Sequence, residues 1–292
     1  MDSRYHKLFP SSVTNQPVLD HHVHTKRCRH AEGIEEDYIL AAIRENLKVI
    51  GFNEHFPMSY LPRSIPVEEY AMDLEEFPEY IKEATRLREA YKEEITVKIS
   101  TEVDYFEPAW KQIVEFLKPF LDQLDYIYGS VHVVDDWAVD DERFSNKWQD
   151  NDKDIIYGKY YKALIAMVRR GYFDVVGHLD LPKKFGHHPS APMDGILDVL
   201  LDAIKENDMV IEVNTAGLRK PIREIYPSRT ILENCFEKDI KITLGSDAHE
   251  PSHVGYEFNS TIEFLKEIGF EGIYTFNKRQ KEFASFESMD GP

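Results

Sequence analysis

Near one end of the chain, Asp20-His21-His22-Val23-His24 follows the short apolar run Pro17 to Leu19; near the other, Gly245-Ser246-Asp247-Ala248-His249 follows Ile240 to Leu244. Both apolar runs read as strands. Side chains at i and i+2 of a strand project to the same side, so His22 can converge with His24, and Asp247 with His249. Neutral imidazole and carboxylate are ligand types for divalent transition metals. A single H-x-H is a weak signal, because a strand-end histidine is more often a satisfied structural residue. Repetition along the chain changes that balance.

Six segments carry metal-competent side chains at the end of an apolar run: His22, His24 and His30; Glu54-His55; Glu102 with Asp104; His132; His178 with Asp180; and Asp247 with His249. Buried histidines and carboxylates are costly unless paired or coordinated, and six such segments in register are hard to explain as packing. A structural zinc needs only four ligands. The surplus points to two or three divalent ions that share a bridging carboxylate. Clusters of this kind polarise a substrate oxygen and lower the pKa of bound water, making hydroxide available at neutral pH. Hydrolysis of a phosphate ester fits that chemistry. No glycine-rich phosphate loop, nucleophile elbow or dinucleotide fingerprint competes with it. Mixed imidazole and carboxylate suits zinc, manganese or iron. Cys28, between His24 and His30, is a further candidate ligand. His21, His187, His188 and His253 exceed the ligand set and are expected in supporting or surface positions.

The elements that must hold these side chains alternate. Apolar segments at Pro17 to His24, Lys48 to Asn53, Thr96 to Val103, Asp125 to His132, Phe173 to His178, Met209 to Asn214 and Ile240 to Ser246 read as strands. Each is followed by an amphipathic stretch: Glu35 to Asn46, Leu74 to Lys92, Pro108 to Phe120, Ile155 to Gly171, Met193 to Asn207, Ser228 to Lys238 and Ser260 to Ile268. Alternating strands and helices imply parallel strands joined by crossovers. Where seven or eight such units close, the result is an α/β barrel with its active site at the C-terminal strand ends, where every candidate ligand falls. No composition break or linker interrupts the 292 residues, which predicts one domain. Residues 1–16 and a tail from about 283 to 292 are expected to be peripheral or weakly ordered. Inserts at about 57–73 and 133–153 read as long loops on the ligand face, where specificity would reside.

Composition narrows the partners. The formal charge of −18 argues against nucleic-acid binding, which needs a basic face. Two cysteines, Cys28 and Cys235, cannot build a disulfide framework. No run reaches membrane-spanning length and no apolar signal core is present, so the expected setting is the cytoplasm.

The order of these signals (H-x-H, a third His six residues on, E-H, a later Glu, two separate histidines, a final D-x-H) resembles the polymerase and histidinol phosphatase (PHP) family over essentially the whole chain. The resemblance implies a distorted, TIM-like (β/α)7 barrel with a trinuclear centre. It implies that His22, His24, Glu102 and Asp247 hold one metal. Glu102 would bridge to a second, with His132 and His178, and His30, His55 and His249 would hold a third. Glu102 and Asp247 would then be the central catalytic carboxylates, with a metal-bridging hydroxide as nucleophile; Asp180 joins Asp247 as a candidate proton source for the leaving alcohol.

The stretch Glu212-Val213-Asn214-Thr215-Ala216-Gly217-Leu218-Arg219-Lys220-Pro221, continuing to Ser228, resembles the corresponding segment of the histidinol-phosphate phosphatases in that family. An arginine there can fork onto two phosphate oxygens, which makes Arg219 the expected phosphate contact, with Lys183 and Lys184 as further cations. The implied reaction turns L-histidinol phosphate into L-histidinol and inorganic phosphate in histidine biosynthesis. Tyr60, Glu68, Trp137, Asp140 and Asp141 of the inserts are candidates for the cationic end of that substrate. The alternatives are a phosphoesterase acting on another small metabolite or nucleotide, and a non-enzymatic metal-binding or regulatory protein.

Overall fold

Each apolar segment becomes a strand, each amphipathic one a helix, and the pairing follows chain order. The computed structural model describes residues 19–289. Its first half runs β1 (Leu19–Val23), α1 (Glu35–Arg44), β2 (Val49–His55), α2 (Phe77–Ala90), β3 (Thr96–Asp104), α3 (Trp110–Leu117) and β4 (Tyr128–Ser130). An insert holding the hairpin β5 (Val133–Val134) and β6 (Trp137–Ala138) and helix α4 (Ser145–Asp150) precedes α5 (Lys153–Arg169). The order then resumes with β7 (Val175–Val176), α6 (Asp194–Glu206), β8 (Val210–Asn214), α7 (Arg229–Glu237), β9 (Lys241–Gly245) and α8 (Phe258–Ile268). The hairpin β10 (Gly272–Asn277) and β11 (Gln280–Ser285) and the short α9 (Phe286–Met289) complete it.

Seven strands form one sheet in the order β1-β2-β3-β4-β7-β8-β9, and all six pairings are parallel. The sheet curls until β1 meets the end of β9: Val23 bridges Ala248, and the His24 amide donates to the Ala248 carbonyl at 2.9 Å. This is the expected (β/α)7 barrel, nearly closed, with helices outside.

Register decides which side chains meet. The β2–β3 ladder sets His55 directly beside Glu102, and β8–β9 sets Asn214 beside Gly245. A large apolar cluster fills the space between sheet and helices. A smaller one of Tyr126, Tyr128, Val175, Val210 and Phe276 belongs to the sheet and β10. There His21 is buried and bonded to Thr243 at 2.9 Å and Thr275 at 3.1 Å, a packing histidine outside the ligand set.

Two expectations need correction. The tail beyond Glu282 is not weakly ordered throughout: β11 pairs with β10 along its whole length, and Phe286 is buried. The second insert is not plain loop, since it folds into β5, β6 and α4, with Trp137 packed on Trp148 at 5.3 Å between ring centres. The expectations for residues 1–16, 17–18 and 290–292 lie outside the described residues.

Candidate metal centre

β1 delivers His22 and, one residue past its end, His24. Both are fully buried, with their Nε2 atoms 2.9 Å apart. Glu102, near the end of β3, brings Oε2 to 3.5 Å from each of these nitrogens. Across the barrel seam Asp247 brings Oδ1 to 3.4 Å from His24 and 3.8 Å from His22. Asp247 stands at φ 50°, a left-handed conformation that aspartate tolerates better than most residues. Around a tetrahedral ion with bonds of about 2.1 Å, ligand atoms stand about 3.4 Å apart, and these four atoms already bracket that spacing.

The second oxygen of Glu102 serves a second group. Oε1 lies 2.9 Å from His178 Nε2 and 3.8 Å from His132 Nε2. A third group gathers beside the first. His30 and His249 face each other Nε2 to Nε2 at 3.0 Å. The His55 ring lies 5.4 Å from His30 and 6.4 Å from His249, with Nδ1 turned to Glu102 Oε2 at 3.0 Å. His55 therefore stands between the first and third groups. The Cys28 thiol is also within reach of His30 and His249, but it is fully buried, and burial raises its pKa.

The donor set fits divalent cations on grounds internal to the protein. Glu102 Oε2 is buried without a hydrogen-bond donor, which is costly for a carboxylate unless a cation compensates it. His30 and His249 each turn Nδ1 to a backbone carbonyl, which can only accept, so the neutral rings meet lone pair to lone pair at Nε2, and a cation between them would satisfy both.

The electrostatics agree. Burial pushes His24 down to about 3 and His30 to about 4, with the nearby His55 adding to both. Burial and His24 likewise hold His249 well below the usual imidazole range. These rings are neutral, as metal ligands must be. Burial opposes charge on Glu102 and Asp247 too, but their histidine neighbours outweigh it, and both stay carboxylates. His132 goes the other way: despite burial, Glu102, Asp104 and Asp140 lift it to about 10.

Second-layer acceptors fix several rings. His30 Nδ1 lies 2.7 Å from the Cys28 carbonyl, and His249 Nδ1 lies 3.1 Å from that of Asp247. Asp104 accepts the His132 amide at 2.9 Å. Glu54 alternates to the other side of β2 from His55; it accepts the Thr25 amide at 2.8 Å, and burial lifts it to about 8.

Residues 20–216 match the family model described as the PHP domain. This chain belongs to the PHP domain family. A probable histidinol-phosphatase of Deinococcus radiodurans is 35% identical over 91% of this chain and 98% of its own length. A histidinol-phosphatase of Bacillus subtilis is 29% identical over 84% of this chain and 98% of its own. The barrel superposes on the crystal structure of a histidinol phosphate phosphatase from Lactococcus lactis, complexed with zinc, L-histidinol and phosphate. The TM-score is 0.77 at 24% identity, over 91% of this chain and 99% of that one.

Beside the PHP donor set opens a cavity of about 950 Å³, lined by both inserts and by His30, His55, Glu102, His132, His178, Asp247 and His249. Arg219 is on its wall. Its Nη2 donates to the carbonyls of Ser246 and Asp247 at 2.7 and 3.1 Å, and the guanidinium lies 5.1 Å from the centre of the Tyr256 ring. Nη1 has no partner. Lys184 also lines the cavity but is tied to Asp140 at 2.9 Å.

Several candidates do not reach this cavity. Lys183 is buried against Asp180 at 2.9 Å and donates to the Ile225 carbonyl at 2.8 Å. Asp180 accepts the Ser228 amide at 2.9 Å, so it braces the loop before α7 and is not placed to protonate a leaving group. Lys183 lies in the tight turn Leu181–Phe185 and Asp180 just before it, and neither lines the cavity. Tyr60 is buried with its hydroxyl donated to the Asp104 carbonyl, Trp137 is packed in the insert, and Glu68 is not in the lining; Asp140 and Asp141 are. His187 stacks on Trp148 and His188 is exposed, whereas His253 does line the cavity. Glu212 and Tyr226 lie within the stretch that resembles the histidinol-phosphate phosphatases but were assigned no role, and Tyr256 carried no motif. A glutamate inside the apolar strand Val210-Ile211-Glu212-Val213 was the one available signal.

Proposed function

We propose that this protein hydrolyses L-histidinol phosphate to L-histidinol and inorganic phosphate, a reaction of histidine biosynthesis. The carrying observation is that the Glu102-centred donor set and the guanidinium-bearing Arg219 line one cavity. The whole-length likeness to proteins named histidinol-phosphatase supports the particular ester.

His22, His24, Glu102 and Asp247 would hold one ion, Glu102, His132 and His178 a second, and His30, His55 and His249 a third. Zinc, manganese or iron suits this donor set. When bound, such ions supply Lewis acidity and a hydroxide nucleophile at neutral pH. The chain's own residues do the rest. Arg219, steadied by two carbonyls and Tyr256, would bring its guanidinium from the cavity wall to the phosphoryl oxygens. Asp247 and Glu102 remain carboxylates and neutralise the ions. The inserts close the cavity walls: Arg143 joins Glu69 at 2.5 Å and Asp141 at 2.8 Å. The acidic side chains Asp140, Asp141 and Glu142 face the space that the ammonium and imidazole end would enter.

The charge of −18 supports a small-molecule substrate over nucleic acid. No helix among the described residues is long and apolar enough to cross a membrane. Two unpaired buried cysteines suit a reducing cytoplasm, and one continuous seven-stranded sheet from β1 to β9 suits one domain. The test is metal removal. Chelation should abolish release of phosphate from L-histidinol phosphate, and zinc, manganese or iron should restore it; undiminished activity in fully stripped protein would refute the reading.

A further inference from the structure

β8 carries a fully buried glutamate that belongs to no proposed ligand group. Glu212 Oε1 lies 2.5 Å from His22 Nδ1. Its other oxygen accepts two hydrogen bonds, from the His178 backbone amide at 2.9 Å and from Asn214 Nδ2 at 3.0 Å. The same Asn214 amide group lies 3.3 Å from Asp247 Oδ2. One carboxylate and its neighbour on the strand thus touch residues from both Glu102-linked groups. The barrel leaves room for this: a Cβ at Gly245 would fall 2.3 Å from Glu212 Oε1 and 2.7 Å from His22 Cβ.

The donors fix the direction of the His22 bond. With Oε2 taken by two N–H groups, the one proton of the pair lies between Oε1 and Nδ1, and the more basic imidazole nitrogen holds it, so Nδ1 donates and Oε1 accepts. In the neutral ring that binds a metal the lone pair is then on Nε2, the atom that faces His24, Glu102 and Asp247. An imidazole binds a metal through its unprotonated nitrogen, and the acceptor behind it sets which nitrogen that is. We propose that Glu212 is the positioning residue for the first metal, holding His22 in the tautomer and orientation that point Nε2 at the ion. This inference rests on the metal reading of the site.

Glu212→Gln tests it with almost no change in shape. The two donors at Oε2 claim the glutamine carbonyl, so its NH2 turns toward His22. Nδ1 must then accept, which moves the proton to Nε2 and blocks the ligand position. Zinc affinity, measured by chelator competition, is expected to fall roughly 10- to 100-fold, while the thermal midpoint of the metal-free protein stays near that of the wild type. A lowered metal-free midpoint with unchanged zinc affinity would mark Glu212 as merely structural and overturn the inference. A second measurement needs no variant: NMR of ¹⁵N-histidine-labelled, zinc-loaded wild type should place the His22 proton on Nδ1. A proton on Nε2 would overturn it as well. Wild-type protein that takes up no zinc would instead defeat the metal reading, and this inference with it.

Discussion

Glu102 and His178 meet at 2.9 Å, Oε1 to Nε2, although β4 separates their strands in the sheet. The other oxygen of Glu102 faces His55 at 3.0 Å and both His22 and His24 at 3.5 Å. One carboxylate therefore joins donor groups that would otherwise be separate sites. Glu102→Gln keeps the shape and removes the charge. It should lower metal content at both linked positions and turnover on the order of a hundredfold. Elemental analysis with steady-state kinetics checks this; full activity at unchanged metal content would contradict it.

Arg219 is held by backbone carbonyls at one nitrogen and free at another. Its loss should remove a charge-assisted hydrogen bond to phosphate, about 1.5–3 kcal/mol, or roughly ten- to a hundredfold in kcat/KM. Arg219→Lys should restore only part of this, because an ammonium cannot fork. Inorganic phosphate should also inhibit Arg219→Ala more weakly than the wild type. Equal phosphate inhibition of variant and wild type would remove Arg219 from the site.

Metal affinity should rise with pH. In the metal-free protein burial disfavours charge on His132, but Glu102, Asp104 and Asp140 raise its pKa to about 10. Burial is likewise outweighed at His22 by Glu212, Asp247 and Glu102. Both rings hold a proton at neutral pH without metal, and both must release one on loading. Each released proton makes the apparent affinity climb about tenfold per pH unit, and the His132 contribution levels off above about 10. Calorimetry in buffers of different ionisation enthalpy counts the protons; an affinity that is flat from pH 6 to 8 would contradict the assignment.

Asp180 should prove a stability residue. It receives the Ser228 amide and pairs with buried Lys183. Breaking such a pair by Asp180→Asn should cost about 3 kcal/mol and leave kcat of the folded protein within about threefold of the wild type. Denaturant midpoints and kcat, measured together, separate the two roles. A large loss of kcat with unchanged stability would restore Asp180 to the chemistry.

The pair His22 and His24 was legible because a strand has a rule, i and i+2 on one side; Asp247 and His249 lie past the end of β9, with Asp247 at φ 50°, so the D-x-H spacing marked them although strand alternation does not place them. Loops have no such rule. Whether Asp180, Lys183 and Lys184 turn to the cavity or to the helix layer depends on the path of one tight turn, and the three residues divide between those outcomes. The β10–β11 hairpin was hidden for a related reason. Its two-residue turn is Lys278-Arg279, at φ 48° and 66°, where Asn-Gly would have announced it. Glu212 was hidden by its strand, since a lone carboxylate among apolar residues gives no hint of its partner until the register of β8 against β9 is known.

The central claim is the substrate, and its most direct test is kcat/KM of the metal-loaded protein for L-histidinol phosphate beside a panel of sugar phosphates, nucleotides and amino-alcohol phosphates. The expected result is a preference for L-histidinol phosphate of at least about tenfold, the discrimination that roughly 1.4 kcal/mol of transition-state binding to the imidazole and ammonium end provides. A nucleotide or sugar phosphate hydrolysed with higher kcat/KM would leave the metal-dependent phosphatase standing and contradict the named substrate.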